Sequence, residues 1–221
     1  MSFPRTNAKV DISKFLRPEA RSRKSSAAFT LAELLIVITV ISILIALLFP
    51  AFRAVQDQAR NAQAKNDIIQ IVTAVTAYYT EYGKYPVSND LTDMTLDGLN
   101  GNTNDKLFNA LRGQDSVVNP KNIVLISPPA VKDNNNPRSG ISGSDGQYYD
   151  PWGTAYVIRI DSTYDNVVAP NPYSANAGLT ASVNSGVLAW SFGKDKASDS
   201  VPGPASDKKI GSNADDVISW Q

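Results

Sequence analysis

Between Leu34 and Phe49 the sequence reads LLIVITVISILIALLF, sixteen consecutive residues without a charge, with Thr39 and Ser42 as its polar members. A run with no solvent face cannot be one side of an ordinary amphipathic helix. Extended back to Phe29 and on to Phe52, the stretch reaches 24 residues, interrupted by Glu33 and Pro50. As a helix it would measure about 36 Å, enough to cross a bilayer. The flanks agree. Positions 1–28 hold seven Lys or Arg against two acids, a net charge of +5, and the remainder holds 14 against 19, a net of −5. A basic flank marks the cytoplasmic side, so residues 1–28 are expected inside and everything beyond about residue 53 across the membrane. A buried core helix and a secretory signal peptide compete with this reading. The signal peptide lacks its small-residue cut site, because Pro50–Ala51–Phe52 stands there instead.

Composition removes much chemistry. The chain has no histidine and no cysteine, which excludes imidazole acid–base catalysis, thiol nucleophiles, disulfides and Cys/His zinc sites. No serine stands in a recognisable nucleophile motif, and an enzyme is not expected. The 21 basic and 21 acidic side chains balance, so nothing in the whole chain predicts direct nucleic-acid binding. The acids are 18 Asp and three Glu, a bias toward turns, caps and oxygen-rich metal loops.

One of those three glutamates lies inside the apolar stretch. Glu33 in hydrocarbon, unpaired, is costly. It can snorkel to the interface or meet a cation brought from elsewhere. Removal of the basic segment just before Phe29 would create one, an α-amino group in the same apolar layer. The string Ala28–Phe29–Thr30–Leu31–Ala32–Glu33–Leu34–Leu35 resembles the processing and methylation site of type IV pilins and of the pseudopilins of type II secretion. The resemblance implies that a prepilin peptidase cuts between Ala28 and Phe29 and methylates the new N-terminus. Glu33 then becomes the fifth mature residue and Pro50 the twenty-second, positions where the family carries a glutamate and often a helix-loosening proline. Ala28 replaces the glycine usual before the cut.

From Arg53 to Tyr82 the pattern turns amphipathic. Ile68, Ile71, Val72, Val75, Tyr78, Tyr79 and Tyr82 recur at spacings of three and four and share a face. Arg53, Asp57, Arg60, Lys65 and Asp67 mark a more polar early stretch. A helix continuous from Phe29 would run about 80 Å, ended by Gly83 and Pro86. The head, 83–221, is expected to be turn-rich over 87–149, with its Asn and Asp residues solvated. Within that segment a short helix is predicted near Asp105–Leu111, and Ile123–Ile126 reads equally as strand or loop. Asp150–Pro151–Trp152–Gly153 predicts a turn with Trp152 as a core anchor. Strands are predicted at Ala155–Ile160 and Val187–Phe192, across a long surface loop. The expected fold is α+β and pilin-like: a long N-terminal helix packed on a small antiparallel β-sheet. Its parts are a removable leader (1–28), a transmembrane and filament-core helix (29–52), an amphipathic half (53–82) and the head.

Near the C-terminus, Phe192 and Trp220 bracket a Gly/Pro/Ser/Asp loop that would bring Asp195 and Asp216 near each other. Calcium takes six to eight oxygens, which such a loop can offer without the helix–loop–helix calcium pattern. The strings Asp150–Pro151–Trp152–Gly153–Thr154–Ala155–Tyr156, Ser191–Phe192–Gly193–Lys194–Asp195 and Asp216–Val217–Ile218–Ser219–Trp220 resemble the major pseudopilin of type II secretion. That resemblance implies calcium bound by Asp195 and Asp216, with Asp199, Asp207 and Asp215 as further candidates. Longer segments at about 88–149 and 161–186 depart from the pattern. The implied role is a structural subunit of a secretion pseudopilus, a helical filament that drives protein export. It implies a single-pass protein of the bacterial inner membrane with a periplasmic head. The implied partners are other copies of the chain, the prepilin peptidase/methyltransferase, minor pseudopilins and the inner-membrane assembly platform. A type IV pilus subunit serving adhesion, motility or DNA uptake is the alternative, as is a membrane-anchored binding module.

Overall fold

The computed structural model describes residues 30–87, 92–97, 101–173, 181–197, 209 and 211–220. Two compact units are present, divided between Leu48 and Phe49. Helix α1, Leu31–Tyr82, begins in the first and ends in the second, and Pro50 lies inside it. Pro50 offers no N–H to the carbonyl four residues earlier. In the first unit the apolar residues of α1 are all exposed. Among the described residues this is the one helix long and apolar enough to cross a membrane.

The second unit is built around the amphipathic part of α1. Ala64, Ile68, Ile71, Val75 and Tyr78 are buried there, as the three- and four-residue spacing predicts. Tyr79, expected on the same face, is 40% exposed, and Val72 and Tyr82 are half-buried. Asp67, expected among the polar residues, is buried as well. Gly83 ends the helix with φ +67° and donates its N–H to the Tyr79 carbonyl at 2.8 Å, a conformation glycine adopts without strain.

Four strands form one antiparallel sheet: β1 (Met94–Leu96), β4 (Val157–Ile160), β5 (Val187–Ser191) and β6 (Val217–Ile218), in the order β1-β4-β5-β6. A separate hairpin pairs β2 (Gly140–Ile141) with β3 (Tyr148–Tyr149). Helix α2 spans Asp105–Leu111, as the sequence predicts. The two strands read from the sequence are β4 and β5, joined in the register Val157↔Trp190 to Ile160↔Val187. Strands β1 and β6 are too short to show a period and were not visible in the sequence. Ile123–Ile126 is irregular, with Ile126 buried.

All residues of β4 and β5 are buried, because both sheet faces are covered. Ile158, Ile160, Val187 and Ala189 pack with Ile68, Ile71, Val75 and Tyr78 of α1. Val157, Leu188 and Trp190 face the other way, into a second cluster with Val168, Tyr173 and Ile218. This is the period-two alternation of a strand, realised with apolar residues on both sides.

Ile71 is fully buried whereas Ile69, two residues away, is 48% exposed. Ile71→Ala should therefore destabilise the head by about 2–5 kcal/mol, and Ile69→Ala by less than about 0.5 kcal/mol. Denaturant unfolding of the detergent-solubilised full chain reads both.

Candidate functional site

Ala28 and Phe29 lie outside the described residues, and the site is visible from Thr30 onward. Glu33 Oε2 accepts the Thr30 backbone N–H at 2.8 Å and the Thr30 hydroxyl at 2.8 Å. In return, Thr30 Oγ1 accepts the Glu33 N–H at 3.1 Å. This reciprocal pair is a capping box, with Thr30 as N-cap and Glu33 three residues later. The signal, Thr-x-x-Glu before an apolar run, was present in the sequence and overlooked. All three contacts leave Oε1 of Glu33 unused among the described residues. Along the exposed helix, the Thr39 and Ser42 hydroxyls donate to the Leu35 and Ile38 carbonyls, each at 2.7 Å. The two polar side chains of the run thus satisfy themselves without water, which suits a surface that enters lipid or protein.

In the C-terminal loop, the Asp215 carboxylate makes the joint. Its Oδ2 accepts the N–H groups of Lys194, at 2.6 Å, and Asp195, at 2.9 Å. Gly193 permits the approach: its φ is +68°, and a Cβ there would stand 2.4 Å from the Asp215 carbonyl oxygen. Asp195 Oδ1 accepts the Ala197 N–H at 2.9 Å. Asp216 is buried and its Oδ2 accepts the Tyr173 hydroxyl at 2.6 Å. The segments holding Asp195 and Asp216 do meet, then, through Asp215. Asp199 and Asp207 lie outside the described residues, and among the described residues no three acidic side chains gather as a metal cluster. The anchors are as expected: Trp220 packs edge-to-face on Trp190, ring centroids 5.9 Å apart, and Phe192 joins the same cluster.

Comparison with known proteins bears on the N-terminal site. Residues 23–49 match the prokaryotic N-terminal methylation motif. The chain is pilin-like. Over 87 residues it is 31% identical to the type II secretion system core protein G of Pseudomonas aeruginosa, covering 39% of this chain and 61% of that protein. Over 64 residues it is 42% identical to the type IV major pilin protein PilE1 of Neisseria gonorrhoeae, covering 28% of this chain and 37% of the relative. The pilin-like chain thus spans less than two thirds of either relative's length in these matches. No solved structure gives a significant match.

Two acids of the head, one in the turn expected at Asp150–Gly153 and one on the polar early stretch of α1, are buried. Asp150 is fully buried; its Oδ1 accepts the N–H groups of Trp152, Gly153 and Thr154 at 2.9, 2.7 and 2.9 Å. Its Oδ2 accepts the Ser191 hydroxyl at 2.5 Å. One carboxylate therefore shapes the turn before β4 and ties it to the end of β5, and Trp152, held in that turn, is buried as predicted. Asp67 Oδ2 accepts the Tyr156 hydroxyl at 2.8 Å, linking α1 to the start of β4. Burial pushes both carboxyls above the usual range, with these hydrogen bonds working against it. Asn104 is buried too, bonding the Tyr156 carbonyl at 2.8 Å and the Tyr148 N–H at 3.0 Å. Asn119 donates to the Ala110 and Ile123 carbonyls at 2.8 Å each. The expectation of solvated Asn and Asp is corrected here, because irregular backbone that is buried needs side-chain partners.

Asp150→Ala would take the acceptor from the Trp152 and Thr154 N–H groups and the Ser191 hydroxyl, at about 1–3 kcal/mol each for buried groups, while the Gly153 N–H keeps the Asp150 backbone carbonyl at 3.2 Å. A loss of at least about 3 kcal/mol in the unfolding free energy is expected, with Asp150→Asn milder. Alkali should also unfold the head. Burial, aided by the Asp161 charge, pushes Tyr85 up to about 12, and burial with the Asp145 hydrogen bond raises Tyr149 to about 12. Burial raises Tyr148, Tyr156 and Tyr173 as well. The folded state thus holds phenolic protons that an unfolded chain releases at a pKa of about 10. Their stabilisation is complete below that value and fades as pH rises through about 12. Tyrosinate absorbance should appear late and together with the loss of near-ultraviolet circular dichroism.

Proposed function

We propose that the chain is a structural, non-catalytic subunit of a type II secretion pseudopilus. The observation that carries this reading is the methylation motif set on an apolar helix whose side chains are all exposed, begun by the Thr30–Glu33 box. The precursor waits in the bacterial inner membrane with its basic leader in the cytoplasm and its head in the periplasm. Prepilin peptidase cuts before Phe29 and methylates the new amino group. The helix then leaves lipid to pack with other copies into a helical filament, whose growth drives protein export. Minor pseudopilins and the inner-membrane platform are the further partners. The 87-residue match to a secretion protein reaches well past the 27-residue motif and favours secretion. The 42% identity to a type IV pilin supports the second reading, a pilus subunit.

Glu33 has two roles on this account. Oε2 closes the cap, and Oε1 pairs with the Phe29 amino group of its own or a neighbouring chain once the leader is removed. Breaking such a pair in a low-dielectric layer costs about 3–5 kcal/mol. Glutamine serves a capping box as well as glutamate, so Glu33→Gln keeps the cap and removes the charge. Filament yield in membranes should collapse for Glu33→Gln, with the precursor still made; normal filaments would reduce Glu33 to a cap. Intact mass of wild-type filaments should give a chain that begins at Phe29 and carries one added methyl, and a chain still beginning at Met1 would sink the proposal.

Calcium in the C-terminal loop belongs to the same proposal, with Asp195 and Asp216 as ligands. The residues present fit in part. Asp195 and Asp216 adjoin the joint made by Asp215, and Asp216 spends Oδ2 on Tyr173, so backbone carbonyls would complete the shell. Adding a chelator to the full chain should lower its melting temperature by several degrees, roughly what 1–2 kcal/mol produces in a head of this size. Identical melting with and without calcium would remove the ion from the account.

A further inference from the structure

The head carries a basic cleft at one end of its helix and an acidic corner at the other. The cleft, about 450 Å³, is lined by Arg60 of α1 and by Lys132 and Arg138 of the loop before β2, over a floor of Pro129, Ala130 and Pro151. None of the three cations has an ion-pair partner among the described residues. Lys132 and Arg138 are exposed and Arg60 half-exposed. One carboxylate, Asp133, lines the cleft with them and offsets one of the three charges, which leaves a net of +2. Asp57, three residues before Arg60, is taken by Lys194 at 2.6 Å, and Asp133, in the cleft, caps the Asn135 N–H at 2.9 Å.

The acidic corner is formed by the exposed Asp165 and the half-buried Asp93, over a buried Asp161; Asp93 also accepts the Ala169 N–H at 2.7 Å and lies within electrostatic reach of Arg159. The Thr163 hydroxyl lies between Asp161, at 3.1 Å, and Asp93, at 3.4 Å, and the Asp165 N–H reaches Asp161 at 3.3 Å. Asp165 is exposed. Arg159 is buried, donating to Thr95 Oγ1 at 2.7 Å and to the Pro170 carbonyl, and Lys84 lines a separate groove with Lys106 and Asp115. The neighbouring residue Tyr164 fixes this corner at the far end of α1. Its hydroxyl accepts the Tyr85 N–H at 3.1 Å, and its ring lies 6.4 Å from that of Tyr79.

Arg60 and Tyr79 stand 19 residues apart on one helix, about 29 Å along its axis. No side chain spans that distance, so the two patches cannot neutralise each other within one copy. We propose that the basic cleft of one head receives the Asp93–Asp165 corner of a second copy of this chain. The contact joins two different patches, and so it is heterologous and repeats from copy to copy rather than closing on a pair. Opposite charges facing each other across a contact, here chiefly Lys132 and Arg138 against Asp165 with Asp93 behind it, set register and partner choice more than affinity. The inference rests on the assembly reading above and adds to it which surfaces of the head meet.

The chain's lack of cysteine makes the test direct. Lys132→Cys and Asp165→Cys are introduced together into the full-length chain in cells, and filaments are oxidised and run without reductant. The double variant should give a ladder of dimers, trimers and longer species containing this chain alone, and each single variant should give no ladder. Lys132→Glu with Arg138→Glu should lower the filament yield about tenfold, and Asp93→Lys with Asp165→Lys in the same chain should restore it. Filaments that form normally and still require Glu33, but give no ladder and ignore the charge reversal, overturn this contact and leave the assembly reading standing. A cross-linked band holding a different protein also overturns it. A wild-type chain that forms no filament removes both.

Discussion

The first unit presents a helix on which Leu34, Leu35, Ile36, Val37, Ile38 and their apolar neighbours through Leu48 are exposed to between about half and three quarters of their surface. Each such side chain gains about 1.5–3 kcal/mol when it leaves water, so the helix must be covered by lipid, by copies of itself, or by each in turn. A covering that can be exchanged is what separates a subunit stored in a membrane from one that remains there. Lipid tails and leucine side chains are equally apolar, so transfer from one to the other is nearly neutral. Directional interactions then decide where the helix settles. Among the described residues of the first unit, Glu33 is the side chain that carries a charge.

The second unit solves a different problem, holding a small, loop-rich head together without a disulfide. Buried side chains do the work that covalent links do elsewhere. Asp150 gathers three successive N–H groups and a serine from another strand. Asp67 reaches from the helix to Tyr156, and Asn104 and Asn119 satisfy carbonyls that no sheet ladder reaches. Each of these groups was desolvated at a cost that only a complete set of partners offsets. Such bonds tie the helix, the turn before β4 and the end of β5 to one another.

Much of this was legible in the sequence. The sixteen-residue run and its basic flank announced the apolar helix, and the three-and-four spacing of Ile68, Ile71, Val75 and Tyr78 announced the face that became core. Helix α2, strands β4 and β5, and the anchoring of Trp152 and Trp220 followed from local pattern. Asn104, Asn119 and Asp150 did not, because a polar residue in irregular sequence looks the same whether water or protein satisfies it, and Asp67 did not, because its partner Tyr156 lies 89 residues away. Tyr79 was misread for the opposite reason: periodicity defines a face but not its edges, and the head stops short of covering that ring.

The sequence alone determined where the chain is apolar, where its charges change sign and which motif stands at the junction, since these are properties of neighbours along the chain. Only the tertiary structure decided which acids are buried, that Asp215 rather than Asp195 or Asp216 closes the C-terminal loop, and that Arg60, Lys132 and Arg138 share one cleft. Those facts depend on residues tens of positions apart meeting in space. Distances between such residues are set by packing α1 against the sheet, and no local rule contains them.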